Sequence, residues 1–134
     1  MRILVTGSRD WEDLNVVYRV LTTLVATHGL LRPIGPTVRS RYDMTGWVIV
    51  HGACPTGADA FADAFARGNQ IAVERHPADW ERHGKAAGPI RNREMVELGA
   101  DLCLAFIRNR SRGASGCAAL AEAAGIPTIR HTND

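Results

Sequence analysis

Five short runs of β-branched and other apolar residues, at 2–6, 47–51, 71–75, 102–107 and 128–131, alternate along this chain with stretches of helical spacing. That alternation constrains the fold more than any other feature. Several of the runs are continuously apolar, as in strands covered on both faces. Between the first two, Leu14, Val17, Leu21, Leu24 and His28 recur at helical spacing, with Asp10 or Asp13 placed to cap the start. Thr56-Gly57-Ala58-Asp59 reads as a loose capping box ahead of Phe61, Ala62, Phe65 and Ala66, and Gly68 ends that helix. Pro89 suits the first turn of a third helix running to Gly99. Ser115 suits the cap of a fourth, which stops at Gly125 with Pro127 beyond it.

Strand and helix units in series predict an α/β fold: a parallel sheet of about five strands with helices on both faces. Right-handed crossovers then favour a doubly wound sheet of strand order 3-2-1-4-5. The 134 residues, 46% apolar and 22% charged, suffice for a single domain over 1–134. Two segments exceed the minimal pattern. Residues 30–46, with two prolines and three arginines, read as an irregular excursion. Residues 76–88 form a long connection holding two histidines, Asp79, Trp80 and Lys85, and such connections inside a domain are commonly functional.

Fifteen of the sixteen basic residues are arginine, and Lys85 is the exception. The net charge of +2 is too small by itself to imply a nucleic acid or a membrane surface as partner. The opening apolar run is short and carries no cleavage site, and no stretch approaches the roughly 18 apolar residues of a membrane span. Cys54, Cys103 and Cys117 are odd in number and form no CxxC pair. A cytoplasmic protein with free thiols is the expectation.

In a sheet of this order, ligands sit at the carboxyl ends of the strands where strand order reverses, here between the first and fourth strands. The loops Gly7-Ser8-Arg9-Asp10-Trp11 and Asn109-Arg110-Ser111-Arg112-Gly113-Ala114-Ser115 reach that point, and the turn from His51 to Asp59 lies beside it. Three glycine-containing turns therefore open into three helix N-termini around one crevice, each suited to an anion. Neither a GxGxxG fingerprint nor a Walker A sequence is present.

Four blocks carry a resemblance. Val5-Thr6-Gly7-Ser8-Arg9-Asp10-Trp11, the turn from His51 to Asp59, His76-Pro77-Ala78-Asp79-Trp80 and Gly88-Pro89-Ile90-Arg91-Asn92-Arg93-Glu94-Met95 resemble, in order and spacing, the YspA-type, YpsA-related branch of the SLOG superfamily. The resemblance spans nearly the whole chain apart from residues 30–46. It implies a Rossmann-like fold and a nucleotide or nucleotide-derived ligand, in a branch common in bacteria and their phages. More distantly, Arg91-Asn92-Arg93-Glu94-Met95 is similar to the arginine-lysine motif of the LOG phosphoribohydrolases, with Arg91 on their catalytic arginine. Their PGGxGTxxE loop falls near residues 110–117, but Ala114 replaces its threonine and neither Gly116 nor Cys117 supplies its glutamate. Glu122 lies about two turns further on. Glycosidic cleavage needs a carboxylate beside the sugar. LOG-type hydrolysis is therefore unsupported, and Asp79 or Glu94 would have to stand in for the missing group.

The candidate ligand-binding set is Gly7, Ser8, Arg9, Gly52, Thr56, Gly57, Asp59, Trp80, Lys85, Arg91, Asn92, Gly113 and Ser115, and the catalytic candidates are Arg91, Asp79 and Glu94. Arg91 can grip a phosphate with its fork, against the plainer alternative of a solvated surface arginine. Asn92 can meet a base or ribose edge. Arg9 can hold phosphate or pair with Asp10 or Asp13, and Asp59 can take part in the site or merely support its helix start. Lys85, flanked by small residues, can close over a phosphate or be an ordinary surface lysine. Trp11 and Trp80 can stack on a base or bury loop edges, whereas Trp47 reads as packing. His51, Cys54, His76 and His83 lack the tight spacing of a metal site, and Cys54 reads as a small apolar filler. No metal and no cofactor is expected.

The leading reading is a protein that binds a nucleotide-derived small molecule, such as an ADP-ribose or NAD derivative, as sensor or sequestering protein. The alternatives are a nucleoside or nucleotide N-glycosidase, and single-stranded DNA binding through Arg108, Arg110 and Arg112, which the small net charge disfavours. Ala58, Ala62 and Ala66 would allow a close-packed homodimer.

Overall fold

Arg2–Gly7 forms β1, the middle strand of a five-stranded parallel sheet, in a computed structural model that describes residues 1–33 and 40–133. Along the chain follow α1 (Leu14–His28), β2 (Leu30–Pro33), β3 (Ser40–Asp43), β4 (Val48–His51), α2 (Gly57–Gly68) and β5 (Ala72–Arg75). Then come α3 (Trp80–His83), a 3₁₀ turn (Gly84–Ala86), α4 (Ala87–Glu97), β6 (Leu102–Arg108), α5 (Arg112–Ala123) and β7 (Thr128–Asn133). The sheet order is β5-β4-β1-β6-β7, with every pair parallel. Numbered along the chain, its five strands stand in the expected order 3-2-1-4-5.

Both faces of the sheet are covered, which explains the unbroken apolar runs. Ile3, Val5, Ile49, Leu104 and Phe106 point to the side of α1 and α2, into a cluster with Val17, Leu21, Ala62 and Phe65. Leu4, Val50 and Cys103 point to the other side, against Met95 and Val96 of α4 and Cys117 and Ala121 of α5. Asp13 caps α1 by accepting the Val16 N–H at 3.1 Å. Gly7 ends β1 where α2 crosses closest, and a Cβ there would collide with that of Ala58.

Several expectations are corrected. Residues 30–46 are not irregular throughout: β2 and β3 pair antiparallel, Leu30 opposite Asp43, with Arg32 and Asp43 ion-paired at 3.1 Å. Strands this short show no usable periodicity, so the hairpin is invisible locally; residues 34–39 lie outside the described residues. The 76–88 connection holds α3 and the 3₁₀ turn, and α4 starts at Ala87, two residues ahead of Pro89. Helix α5 starts at Arg112 with Ser111 at the cap position, so Ser115 lies within the first turn, its N–H donating to Ser111 O. Ala58, Ala62 and Ala66 are fully buried in the α1–α2 core and present no surface to a second copy. Small residues here serve the approach of α2 to the sheet.

Candidate functional site

The loops after β1, β4, β5 and β6 surround a cleft of about 810 Å³ at the carboxyl edge of the sheet, inside the usual range for small-molecule sites. Of the expected residues, it brings together Gly7, Arg9, Gly52, Asp59, Trp80, Arg91, Asn92 and Gly113. Ser8, Thr56, Gly57, Lys85, Ser115, Asp79 and Glu94 do not line it. Thr6, Asp10, Cys54, Arg108, Asn109 and Arg112 do, although they stood outside the expected binding set.

Arg91 is held rigidly. Its Nε donates to Asn92 Oδ1 at 2.7 Å, and its Nη1 donates to the carbonyls of Gly52 at 2.5 Å and His76 at 3.3 Å. One guanidinium thus ties α4 to the ends of β4 and β5. A Cβ on Gly52 would stand 2.5 Å from Arg91 Nη1, so that glycine makes room for the arginine. Asn92, buried, passes the restraint to α5 through Nδ2 and Gly113 O at 3.4 Å.

Behind this wall lies a charged network. The Ala53 N–H donates to His51 Nδ1 at 2.9 Å, so the ring carries a proton on Nε2, which donates to Asp63 Oδ2 at 2.7 Å. Asp63 also accepts from Arg75 and Arg67. Arg75 first, then Arg67 and His51, hold the Asp63 carboxyl well below the ordinary carboxylate range. Ala53 and Asn109, both in the cleft lining, have φ of +60° and +52°, and Arg110 follows at +53°. Such backbone strain in residues other than glycine gathers at functional sites.

The capping box does not form as expected. Thr56 occupies the cap position, yet its hydroxyl donates to Arg9 O at 3.0 Å, pinning the β1 loop to α2. Asp59 instead turns toward the β4 loop, where Oδ2 accepts from Gly52 N at 3.2 Å and Cys54 N at 3.3 Å. Burial pushes its pKa up, against the pull of the Cys54 and Gly52 amides and of the Arg91 charge. A raised folded-state pKa gives stability that is complete below the unfolded value near 4 and is lost as pH rises through the folded value. Asp59→Asn is therefore expected to raise the thermal midpoint at pH 7 by about 3–8 °C, with the gain vanishing near pH 4. An equal shift at both pH values would contradict this account.

The two loop tryptophans part company. Trp11 is 4% exposed and packs edge-on to Phe106, its Nε1 donating to Asp13 O. Trp80 is 48% exposed at the cleft, with the Arg9 guanidinium 5.5 Å from its ring centroid. Arg108 donates from Nη1 to Asp10 O at 2.7 Å and pairs with Glu12, so it braces the β1 loop.

Residues 1–83 match the model of the YspA, cpYpsA-related SLOG family. The chain belongs to that family. The SLOG match takes in the Arg9, Gly52, Asp59 and Trp80 portions of the cleft. The chain is also 44% identical, over 133 residues, to the gene 61 protein of Mycobacterium phage D29, covering 96% of this chain and 94% of that one. That likeness extends through Arg91 and the α5 loop of the SLOG domain. No solved structure matches the chain.

The remaining candidates of this SLOG chain have other surroundings. The Ser8 hydroxyl stitches β1 to β6, accepting the Arg108 N–H at 2.8 Å and donating to Arg108 O at 3.3 Å. Gly57 has φ +74°, and a Cβ there would strike Ser8 O, so it serves the turn itself. Asp79 is the exposed cap of α3, accepting from Arg82 N at 3.2 Å, while Glu94 and Lys85 are exposed. Glu122 is ion-paired with Arg130 and lies outside the cleft. Among the described residues, no cluster of three or more His, Cys, Asp or Glu could hold a metal ion, and no helix is long and apolar enough to cross a membrane.

Two thiols are buried: desolvation pushes Cys103 up to about 12 and raises Cys117. Cys54 is half-buried in the cleft lining. One thiol per chain is expected to react with a mild disulfide reagent in the native state and three after denaturation. Cleavage mapping that places the label elsewhere than Cys54 would refute the cleft's accessibility.

Proposed function

We propose that this cleft binds a nucleotide or nucleotide-derived small molecule and that the protein acts as a sensor or sequestering protein for it. One observation carries the reading: Arg9, Arg91 and Arg112 converge on a single cleft that also holds the exposed indole of Trp80. Guanidinium forks recognise phosphate, and an exposed indole offers a stacking surface for a base. The amide ends of α2 and α5 add favourable dipoles for an anion. Membership of the SLOG family supports a nucleotide-related role, and likeness to a phage protein supports action in the cytoplasm of an infected bacterium. Single-stranded DNA is the weaker reading, because Arg108 already braces Asp10 and Glu12 and Arg110 does not line the cleft.

A panel of nucleotides and NAD-derived molecules tests the proposal, with thermal shift and mass spectrometry read in parallel. The expected result is a midpoint raised by several degrees by one ligand class, with no product. Free base or sugar phosphate in the product channel would replace binding by N-glycosidic hydrolysis. Single-stranded DNA binding with a steep salt dependence, and no response to the panel, would overturn it.

A further inference from the structure

One buried carboxyl faces the cleft, and half of it has no partner. Asp59 is 6% exposed. Its Oδ2 accepts two backbone N–H groups, whereas Oδ1 is buried and has no hydrogen-bond partner among the described residues. Buried polar atoms are matched in the great majority of cases, so an exception inside a binding cleft requires a cause. We propose that Asp59 Oδ1 receives a sugar hydroxyl of the bound nucleotide, so that the cleft selects ribose over sugars lacking the 2′,3′-diol. The inference rests on the nucleotide reading of the cleft.

The chemistry of Oδ1 singles out a hydroxyl. With Oδ2 accepting from Gly52 and Cys54, a proton on the carboxyl belongs on Oδ1, which is then an unmatched donor; without the proton it is an unmatched acceptor. A hydroxyl satisfies either form, being donor and acceptor at once. Phosphate satisfies only the protonated form and is repelled by the other. A divalent cation is ill placed among Arg9, Arg91, Arg108 and Arg112. Gly52 supplies the spacing: its N–H meets Asp59 and its carbonyl meets Arg91. Carboxyl and guanidinium therefore flank a single residue, as a hydroxyl and a phosphate flank a ribose.

The test sets the 5′-monophosphates and 5′-diphosphates of adenosine, guanosine, cytidine and uridine against their 2′,3′-dideoxy counterparts by calorimetry. The full chain is used, first as wild type and then as Asp59→Ala. In the wild type, the ribonucleotide that binds is expected to outbind its dideoxy partner by about ten- to hundredfold. In Asp59→Ala, which has no group left to meet the hydroxyl, the two are expected to agree within about threefold. Equal affinities in the wild type overturn the assignment of Asp59 and leave the nucleotide reading intact. Retention of the preference in a folded Asp59→Ala moves the diol contact to another residue and overturns the assignment. Absence of binding by every pair, together with no response to the NAD-derived molecules of the panel, overturns both.

Discussion

Arg91→Ala is expected to weaken binding of the best nucleotide in the panel by at least about a hundredfold, roughly 2.7 kcal/mol. Arg91→Lys is expected to recover little of that loss. The reason is geometric. The guanidinium commits Nε to Asn92 and Nη1 to the carbonyls of Gly52 and His76, and its planar fork then has one fixed direction. Among the described residues Nη2 makes no hydrogen bond, so its donors are available to a phosphate. A lysine brings the charge but cannot span two carbonyls and a ligand together. Titration calorimetry on both variants, with circular dichroism as the folding control, gives the comparison. Wild-type affinity in Arg91→Lys would reduce Arg91 to a point charge and remove the basis for the fork.

The second large effect concerns stability. Asp63→Ala is expected to cost about 3 kcal/mol at pH 7, read from urea unfolding. Asp63 is 13% exposed and accepts from His51, Arg67 and Arg75, so its removal orphans a buried imidazole N–H and releases two arginines. The pH dependence separates charge from packing. Arg75 above all lowers the Asp63 pKa, and Arg2 with His76 lowers that of Glu74 to about 2. Depressed pKa values give stability that is present above the unfolded values near 4 and lost as pH falls through the folded ones. The contribution of Asp63 and Glu74 should hold from pH 7 to about 5 and decline toward pH 2, against the opposite trend from Asp59. Glu74 is 36% exposed and screened by water, so Asp63 carries most of this. Wild type and Asp63→Ala should converge at the acid end; a constant difference would show that the network acts by packing.

Much of the cleft was legible from residue order. Arg91, Gly52, Arg9 and the glycine of the first turn meet because right-handed crossovers bring the carboxyl ends of β1, β4 and β6 to one edge. The misreadings share a cause: local spacing does not reveal tertiary partners. Thr56 and Asp59 have the spacing of a capping box, yet each finds a better partner on another loop. Trp11 and Trp80 both sit in loops, and only the place of Phe106 decides which is buried. Lys85 stood out in composition, but the 3₁₀ turn leaves it in solvent outside the cleft. Asp79 and Glu94 were the carboxylates expected to stand in for the missing glutamate, and the structure places neither in the cleft lining.

By itself the sequence determined the architecture. Five apolar runs, the helical repeats between them and the chirality of L-residues leave one economical sheet order. It determined the edge of the sheet where a ligand can sit, and its four blocks carried the family. The tertiary structure alone decided which polar groups are already satisfied. Ser8, Asn92, Arg108 and Asp63 are matched by protein partners, while Asp59 Oδ1 is buried without one among the described residues. Hydrogen-bond matching depends on distances of a few tenths of an ångström between residues far apart in the chain. Periodicity and spacing hold no information at that scale.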